Sequence, residues 1–342
     1  MKKYAIIKPI RRRCMEYKKL GLVNTKKMFK DALVGHYAIP AFNFYNMETL
    51  NAVLSAADET QSPVILAVSE SALDYMGDDI LVGMISGKKI KQKKQIALHL
   101  DHGHSFEACV RAIKIGFSSV MIDASKLPFA QNVKLTKRVV DYAHKYGVCV
   151  EAELGVLGGY EDKSTKSKES LFTRPEDVIE FVKKTNVDSL AISIGTSHGV
   201  YKRKSETEKL QFDILAEIAK KLPNFPLVLH GASNIPQKFV TEINKFGGKI
   251  KNARGIPASQ LKRAVTMNIC KINVDSDSRL AFTASVRKTL AKNPEKFNPR
   301  EYLQAAMDAI QKNCSNEIKN IMGSANKLKQ KNTLRKTQGI LI

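Results

Sequence analysis

No stretch of the 342-residue chain approaches the roughly 18 to 20 consecutive apolar residues that a helical membrane span requires, so the expectation is a soluble protein. The five cysteines, Cys14, Cys109, Cys149, Cys270 and Cys314, form no CxxC pair and are odd in number. A regular disulfide framework is thereby excluded, and free thiols in a reducing compartment are expected. There is no secretory apolar core near the start. The Arg-rich beginning lacks the Ser-rich amphipathic run of an organelle-targeting segment, so the expected location is the cytoplasm. Glycine is missing from PAFNFYNMETL, where a dinucleotide-binding open sheet would carry its fingerprint after the first strand.

Acidic residues are scarce, and the formal net charge is +23. Residues 1–20 carry eight Lys or Arg against one Glu and residues 324–342 carry five against none, so the two ends hold +12 of that excess. This leaves open a polyanion- or RNA-binding protein that uses its basic ends. No aromatic platform is interleaved with the charge, however, and no specific nucleic-acid partner is expected. A phosphorylated anionic substrate would suit the same basic field. The organisation expected is a flexible basic extension over 1–20, one domain over 21–323 and a basic tail over 324–342.

Eight short apolar runs are present: AIPAFNF (38–44), PVILAVS (63–69), IALHLDH (96–102), SSVMIDAS (118–125), VCVEAELG (148–155), SLAISIG (189–195), PLVLHGA (226–232) and CKINVDS (270–276). Helix-like segments lie between them, among them 48–60, 105–116, 132–147 and 175–186, several ending in Gly or Asn as helix C-terminal caps do. Strict alternation of strand and helix repeated eight times predicts an α/β fold, a (β/α)8 TIM barrel. Extra helices are expected before the eighth strand (257–268) and near the C-terminus (299–320).

Barrel active sites lie at the C-terminal ends of the strands, and the endings of these runs are polar. They supply Asp101 and His102, Asp123, Glu151 and Glu153, His198 in GTSHGVYK, His230, and Asn273 with Asp275. Strand alternation puts His102 with Ile96, Leu98 and Leu100, and Asp101 with His99 on the other face. A backbone turn at the strand end would let Asp101 and His102 converge on one point. The alternative is that Asp101 caps the helix starting near Ser105 while His102 is a hydrogen-bonded loop residue. His102, His198 and His230, from the third, sixth and seventh strands, can face one another across the mouth, and three neutral imidazoles with an open position form a catalytic zinc arrangement. Asp101 would then stand within proton-transfer reach of a substrate oxygen. His36, His99, His104 and His144 are read as surface or structural residues. HGAS (230–233) and NVDS (273–276) put backbone N–H groups and hydroxyls where barrels hold phosphate, with Gly231 admitting an anion close to the backbone.

The ordered motifs AFNFYN, SPVILAVSE, HLDHG, VMIDAS, EAELGVLGG, GTSHGVYK, LVLHGAS and KINVDSD resemble those of class II, zinc-dependent fructose-bisphosphate aldolases, from about Leu22 to Asn320. The resemblance implies a homodimeric or homotetrameric glycolytic lyase, an aldehyde-lyase that reversibly cleaves fructose 1,6-bisphosphate to dihydroxyacetone phosphate and glyceraldehyde 3-phosphate. It makes Asp101 the acid/base at the C4 oxygen, Glu161 a proton carrier at the ketone-phosphate carbon, and His102, His198 and His230 the Zn2+ ligands. Asp123 and Glu153 match a second position, for a divalent or monovalent cation. Asn43, Ser69, Gly199, Lys202, Gly231, Ala232, Ser233, Asn273, Val274, Asp275 and Ser276 match binding positions on the ketone-phosphate side, and Arg279 a ligand of the far phosphate. Cleaving C3–C4 leaves a carbanion that needs an electron sink, either a metal or a lysine Schiff base. Lys271, the sole lysine in the eight runs, sits at a strand start away from the rim, which favours the metal. Tagatose-bisphosphate aldolases are similar too, but typically carry a small residue where Asp275 stands, so fructose bisphosphate is the expected substrate and tagatose 1,6-bisphosphate the alternative. The polar loop 160–177 is expected to be a mobile lid.

Overall fold

The computed structural model describes residues 14–161, 165–167, 171–200 and 209–328. Eight strands close into a parallel barrel: β1 (Ile39–Asn43), β2 (Val64–Ser69), β3 (Ile96–Gly103), β4 (Ser119–Ile122), β5 (Cys149–Leu154), β8 (Ser189–Ile192), β10 (Leu227–Leu229) and β11 (Ile269–Val274). Each falls on one of the eight apolar runs. The neighbour order, β1-β11-β10-β8-β5-β4-β3-β2, makes every connection a crossover on the outside. The extra helices are Gln237–Lys245 and Ala258–Val265 before β11, and Pro299–Glu317 at the end.

Buried on both faces, the strands segregate their side chains by parity. On β1 to β3, Phe42, Leu66, Val68, Leu98 and Leu100 pack outward in the large core beneath the helices. Ile39, Ala41, Ile65, Ala67 and Ala97 pack in a separate cluster with Met28, Phe29 and Ala32 from the helix Thr25–Gly35. Continuing the second set by twos reaches Asn43 on β1, Ser69 on β2, and His99 then Asp101 on β3. The apolar floor of the barrel thus gives way to polar groups toward its C-terminal mouth. Each large apolar side chain so buried contributes roughly 1.5 to 3 kcal/mol against exposure, which is what holds the polar upper layers in place.

The chain ends depart from the expected boundaries. Tyr17 and Leu20 are buried, and Tyr17 Oη donates to the Gly147 carbonyl at 3.2 Å. Beyond 323, Ser324 is fully buried, its Oγ 2.8 Å from Ser62 Oγ, and the Asn326 amide donates to the Thr60 carbonyl at 2.8 Å. Packing therefore reaches past both ends of the 21–323 span. The segments 1–13 and 329–342, with most of the terminal charge, lie outside the described residues.

Part of the expected lid is regular structure. β6 (Gly158–Glu161) and β7 (Thr165–Ser167) pair antiparallel, and β6 also pairs in parallel with β9 (Ser197–His198), setting Gly159 opposite His198. The polar composition of 160–177 suggested a loop because its strand portions, the end of β6 and the three residues of β7, are too short to show alternation.

Candidate active site

Parity alone would turn His102 outward, away from Asp101. The backbone at His102 instead adopts φ 47°, in the left-handed region, and the β3–β4 register shifts between Leu100 and Gly103. That turn brings His102 into the mouth beside its neighbour. Such a conformation costs a non-glycine residue roughly 1 to 2 kcal/mol, which the contacts around His102 must offset. Gly103 completes the turn, since a Cβ there would stand 2.7 Å from the Met121 carbonyl oxygen. The alternative of a capping Asp101 fails: Ser105 Oγ accepts from the Ala108 amide at 3.0 Å and caps the helix Phe106–Lys114.

Asp101 is 1% exposed and accepts two amide hydrogen bonds, from Asn43 Nδ2 to Oδ2 and from Asn273 Nδ2 to Oδ1, both 2.8 Å. Burial opposes its ionisation, but His102, His230, Lys271 and the Asn43 amide together outweigh that and hold the carboxyl below its usual range. A carboxylate acceptor is therefore ready at the mouth.

His102, His198 and His230 each offer a ring nitrogen, all within 4.8 Å of one another. The ring centroids of His102 and His230 are 4.4 Å apart, those of His102 and His198 4.9 Å. His230 Nδ1 is buried with no hydrogen-bond partner among the described residues, while burial first and the Lys271 charge next push the ring well below its usual pKa. A neutral imidazole with an unused buried nitrogen, beside two more imidazoles, fits a zinc ion by donor chemistry. A second set, His102, Asp123 and Glu153, likewise brings one ligand atom from each residue within 4.8 Å of the others. Asp123 Oδ2 lies 3.0 Å from His102 Nδ1 and Glu153 Oε2 3.9 Å from it. Asp123 Oδ1 meanwhile accepts from the Ser125 amide and hydroxyl. Burial disfavours the Asp123 anion, but the bonds from His102 and Ser125 more than compensate and lower its pKa. Asp123 thus contacts His102 directly, and with His102 and Glu153 it forms a group that could hold a metal ion.

Two residues lie at other depths than the sequence suggested. Glu151 is not at the rim but one layer below Glu153, and Lys271 is fully buried inside the barrel with its Nζ 2.9 Å from both Glu151 oxygens. Far from being remote, Lys271 is linked through Glu151 to His230. Strand-start position misled the reading because β11 starts early and a lysine side chain spans more than one layer.

The loops after β10 and β11 meet at the mouth. Gly231 has φ 59°, and a Cβ there would fall 2.6 Å from the Ser197 carbonyl carbon, so the turn needs a residue without a side chain to pass the Ser197 backbone. Ala232 and Ser233 are buried. Asp277, absent from the expected residues although it follows Asp275 in NVDSD, accepts from the Asn234 amide at 2.9 Å and the Ile235 amide at 2.7 Å. It ties the Ser233 loop to the helix Ser276–Lys292, which Asp275 and Ser276 begin after Val274 ends β11. Asp275 Oδ1 accepts from Arg279 Nε at 2.9 Å, and the guanidinium lies over the Tyr45 ring, 5.4 Å from its centroid. Ser69, opposite Asp101 in the β2–β3 register, caps the helix Glu70–Met76 through the Ala72 amide. Gly199, at φ 79°, follows His198 directly. Glu161 ends β6, which pairs with the His198 strand; Lys202 lies outside the described residues.

No helix among the described residues is long and apolar enough to cross a membrane. Against known proteins, the sequence profile of the family described as Fructose-bisphosphate aldolase class-II matches residues 23–327. The fructose-bisphosphate aldolase of Treponema pallidum is 48% identical over 327 residues, covering 90% of this chain and 98% of the relative. That of Thermus caldophilus is 47% identical over 290 residues, covering 84% and 94%. The crystal structure of the YdjI aldolase from Escherichia coli K12 superposes with a TM-score of 0.72 at 30% identity, over 90% of this chain and 99% of that one. Class II aldolases are generally metal-dependent lyases acting on phosphorylated sugars, and the histidine and carboxylate groups at this mouth are of the kind such a reaction needs. With the same barrel and a match over nearly its whole length, the chain belongs to the class II fructose-bisphosphate aldolase family.

Proposed function

We propose that the mouth of this barrel holds one zinc ion on His102, His198 and His230 and cleaves fructose 1,6-bisphosphate reversibly to dihydroxyacetone phosphate and glyceraldehyde 3-phosphate. The observation that carries the reading is the convergence of three ring nitrogens within 4.8 Å, from separate parts of the chain, beside a buried carboxylate. Zinc in that position would supply Lewis-acid polarisation of the substrate carbonyl.

The chain's own residues do the rest. Asp101, held on both oxygens by Asn43 and Asn273, takes the C4 hydroxyl proton as the C3–C4 bond breaks, and returns it in the condensation direction. Glu161 carries the proton to the carbon left with the electron pair. Gly199, Lys202, the Gly231 to Ser233 turn, the Asn273 to Ser276 segment and Ser69 bind the ketone-phosphate half. Arg279 binds the far phosphate, with Asp275 setting its position. Asp123 and Glu153 orient His102 or accept a second cation. The protein acts in the cytoplasm as a homodimer or homotetramer.

Cleavage rates on fructose and tagatose 1,6-bisphosphate, with metal analysis before and after exhaustive chelation, test this. Zinc-dependent cleavage that prefers the fructose isomer is expected. Full activity without zinc would overturn the metal assignment, and preference for the tagatose isomer the substrate. RNA binding that is steeply salt-dependent and vanishes on deleting both ends, in a protein without aldolase activity, would favour the polyanion reading instead.

A further inference from the structure

Beneath the histidine cluster lies a second polar layer that the proposed chemistry does not use. Lys271 of β11, with no exposed surface, gives its Nζ to both oxygens of Glu151 on β5 at 2.9 Å and stands 3.3 Å from His99 Nε2 on β3. Glu151 Oε1 is also 2.7 Å from Nε2 of His230, and His99 Nδ1 is 2.9 Å from Ser119 Oγ. All the groups of this layer are buried, and it spans β3, β4, β5 and β11 under a residue that follows β10.

Such a layer is a poor device for stability. A fully buried ion pair loses about as much in desolvation as it regains in attraction, and apolar side chains of similar size commonly serve the fold as well or better. A carboxylate beneath one imidazole does have a specific effect. A neutral imidazole carries a single N–H, and a carboxylate at Nε2 calls for that hydrogen on Nε2. The Nδ1 lone pair is then left free, and Nδ1 is the His230 atom that is buried without a hydrogen-bond partner among the described residues. The Glu151 bond also fixes the plane of the ring. Lys271 supplies the counter-charge that lets an anion sit so deep in the barrel.

We propose that Glu151 and Lys271 are positioning residues for the metal: the carboxylate selects the Nε2–H tautomer of His230 and aims Nδ1 at the ion, and the lysine holds the carboxylate in place. The inference rests on the zinc reading above, but it can fail separately.

Two measurements test it. The double variant Glu151→Leu/Lys271→Met removes both charges together and leaves neither partner stranded. It is expected to fold, the gain from removing the buried ion pair being offset in part by the unpaired imidazole nitrogens of His230 and His99, yet to bind zinc about 10- to 100-fold more weakly in competition with a chromophoric chelator, and to show an altered visible spectrum with Co2+ in place of zinc. Wild-type zinc affinity and an unchanged Co2+ spectrum in a folded double variant would overturn the proposal. Independently, the imidazole 15N spectrum of the metal-free wild-type chain should show His230 protonated on Nε2, and protonation on Nδ1 would overturn it whether or not the variant folds. If the wild-type chain bound no zinc, the functional reading would fall while this spectrum still decided the tautomer.

Discussion

Asn273 Nδ2 lies 2.8 Å from Asp101 Oδ1, a hydrogen bond that joins the last strand of the barrel to the third. The other oxygen is held from the first strand by Asn43, so neither carboxylate oxygen can rotate away from the mouth. Asp101→Ala should lower kcat by about 10²- to 10⁴-fold, the usual worth of a positioned acid/base, while binding of a non-cleavable bisphosphate stays close to wild type. Asn273→Ala should cost less, since Asn43 still holds one oxygen. Steady-state kinetics and calorimetric titration check both, and an Asp101→Ala loss confined to binding would point to a structural role.

Arg279 and Asp275 form an i, i+4 pair on the first turn of one helix, with the guanidinium about half exposed. If Arg279 binds the far phosphate as proposed, Arg279→Met takes away charged hydrogen bonds worth roughly 1.5 to 3 kcal/mol each. KM for the bisphosphate should therefore rise about 10- to 100-fold with kcat less affected. Asp275→Ala should release Arg279 and narrow the difference in kcat/KM between the fructose and tagatose isomers. An unchanged isomer ratio would leave Asp275 as a brace only.

Gly231 is constrained twice, by φ 59° and by the Ser197 backbone. Gly231→Ala should destabilise the chain by roughly 2 to 5 kcal/mol, combining the left-handed penalty with the cost of overpacking. Because His230 is adjacent, bound zinc should fall as well. Urea unfolding and metal analysis of the variant provide the check, and wild-type stability would show that the turn relaxes freely.

Glu317, at the end of the terminal helix, is buried beside Asp277, and burial first and the Asp277 charge second raise its carboxyl well above the ordinary value of 4.5. The folded state therefore keeps this proton at pH values where the unfolded chain has released it. Its contribution is fully present below about pH 4.5 and is lost as pH rises from there through the raised value, with a limiting slope of roughly 1.4 kcal/mol per pH unit. Glu317→Gln, which cannot ionise, should flatten that fall. Chemical unfolding across pH 5 to 8 measures it; identical pH profiles for the two chains would show that Glu317 is ionised in the fold.

Much of this was legible in the chain itself. Alternation and run length marked all eight barrel strands, because a parallel strand buried on both faces must be apolar along most of its length. The polar endings of those runs marked the mouth, because barrel sites are built at the C-terminal ends of the strands. What stayed hidden depended on backbone detail or on reach. The β6–β7–β9 sheet was missed because its strands run only two to four residues. Asp277 was missed because its partners are backbone amides 42 and 43 residues away.

The sequence by itself determined that this is an eight-stranded α/β barrel of the class II aldolase family, with Asp101, His102, His198 and His230 at one rim. Periodicity carries the barrel, and the resemblance of the ordered motifs carries the family. Only the tertiary structure decided that His102 breaks parity to join Asp101, and that Glu151 and Lys271 stand under His230. A left-handed backbone angle and the depth of a side chain inside a closed sheet are fixed by contacts between strands far apart in the chain, and no local pattern records them.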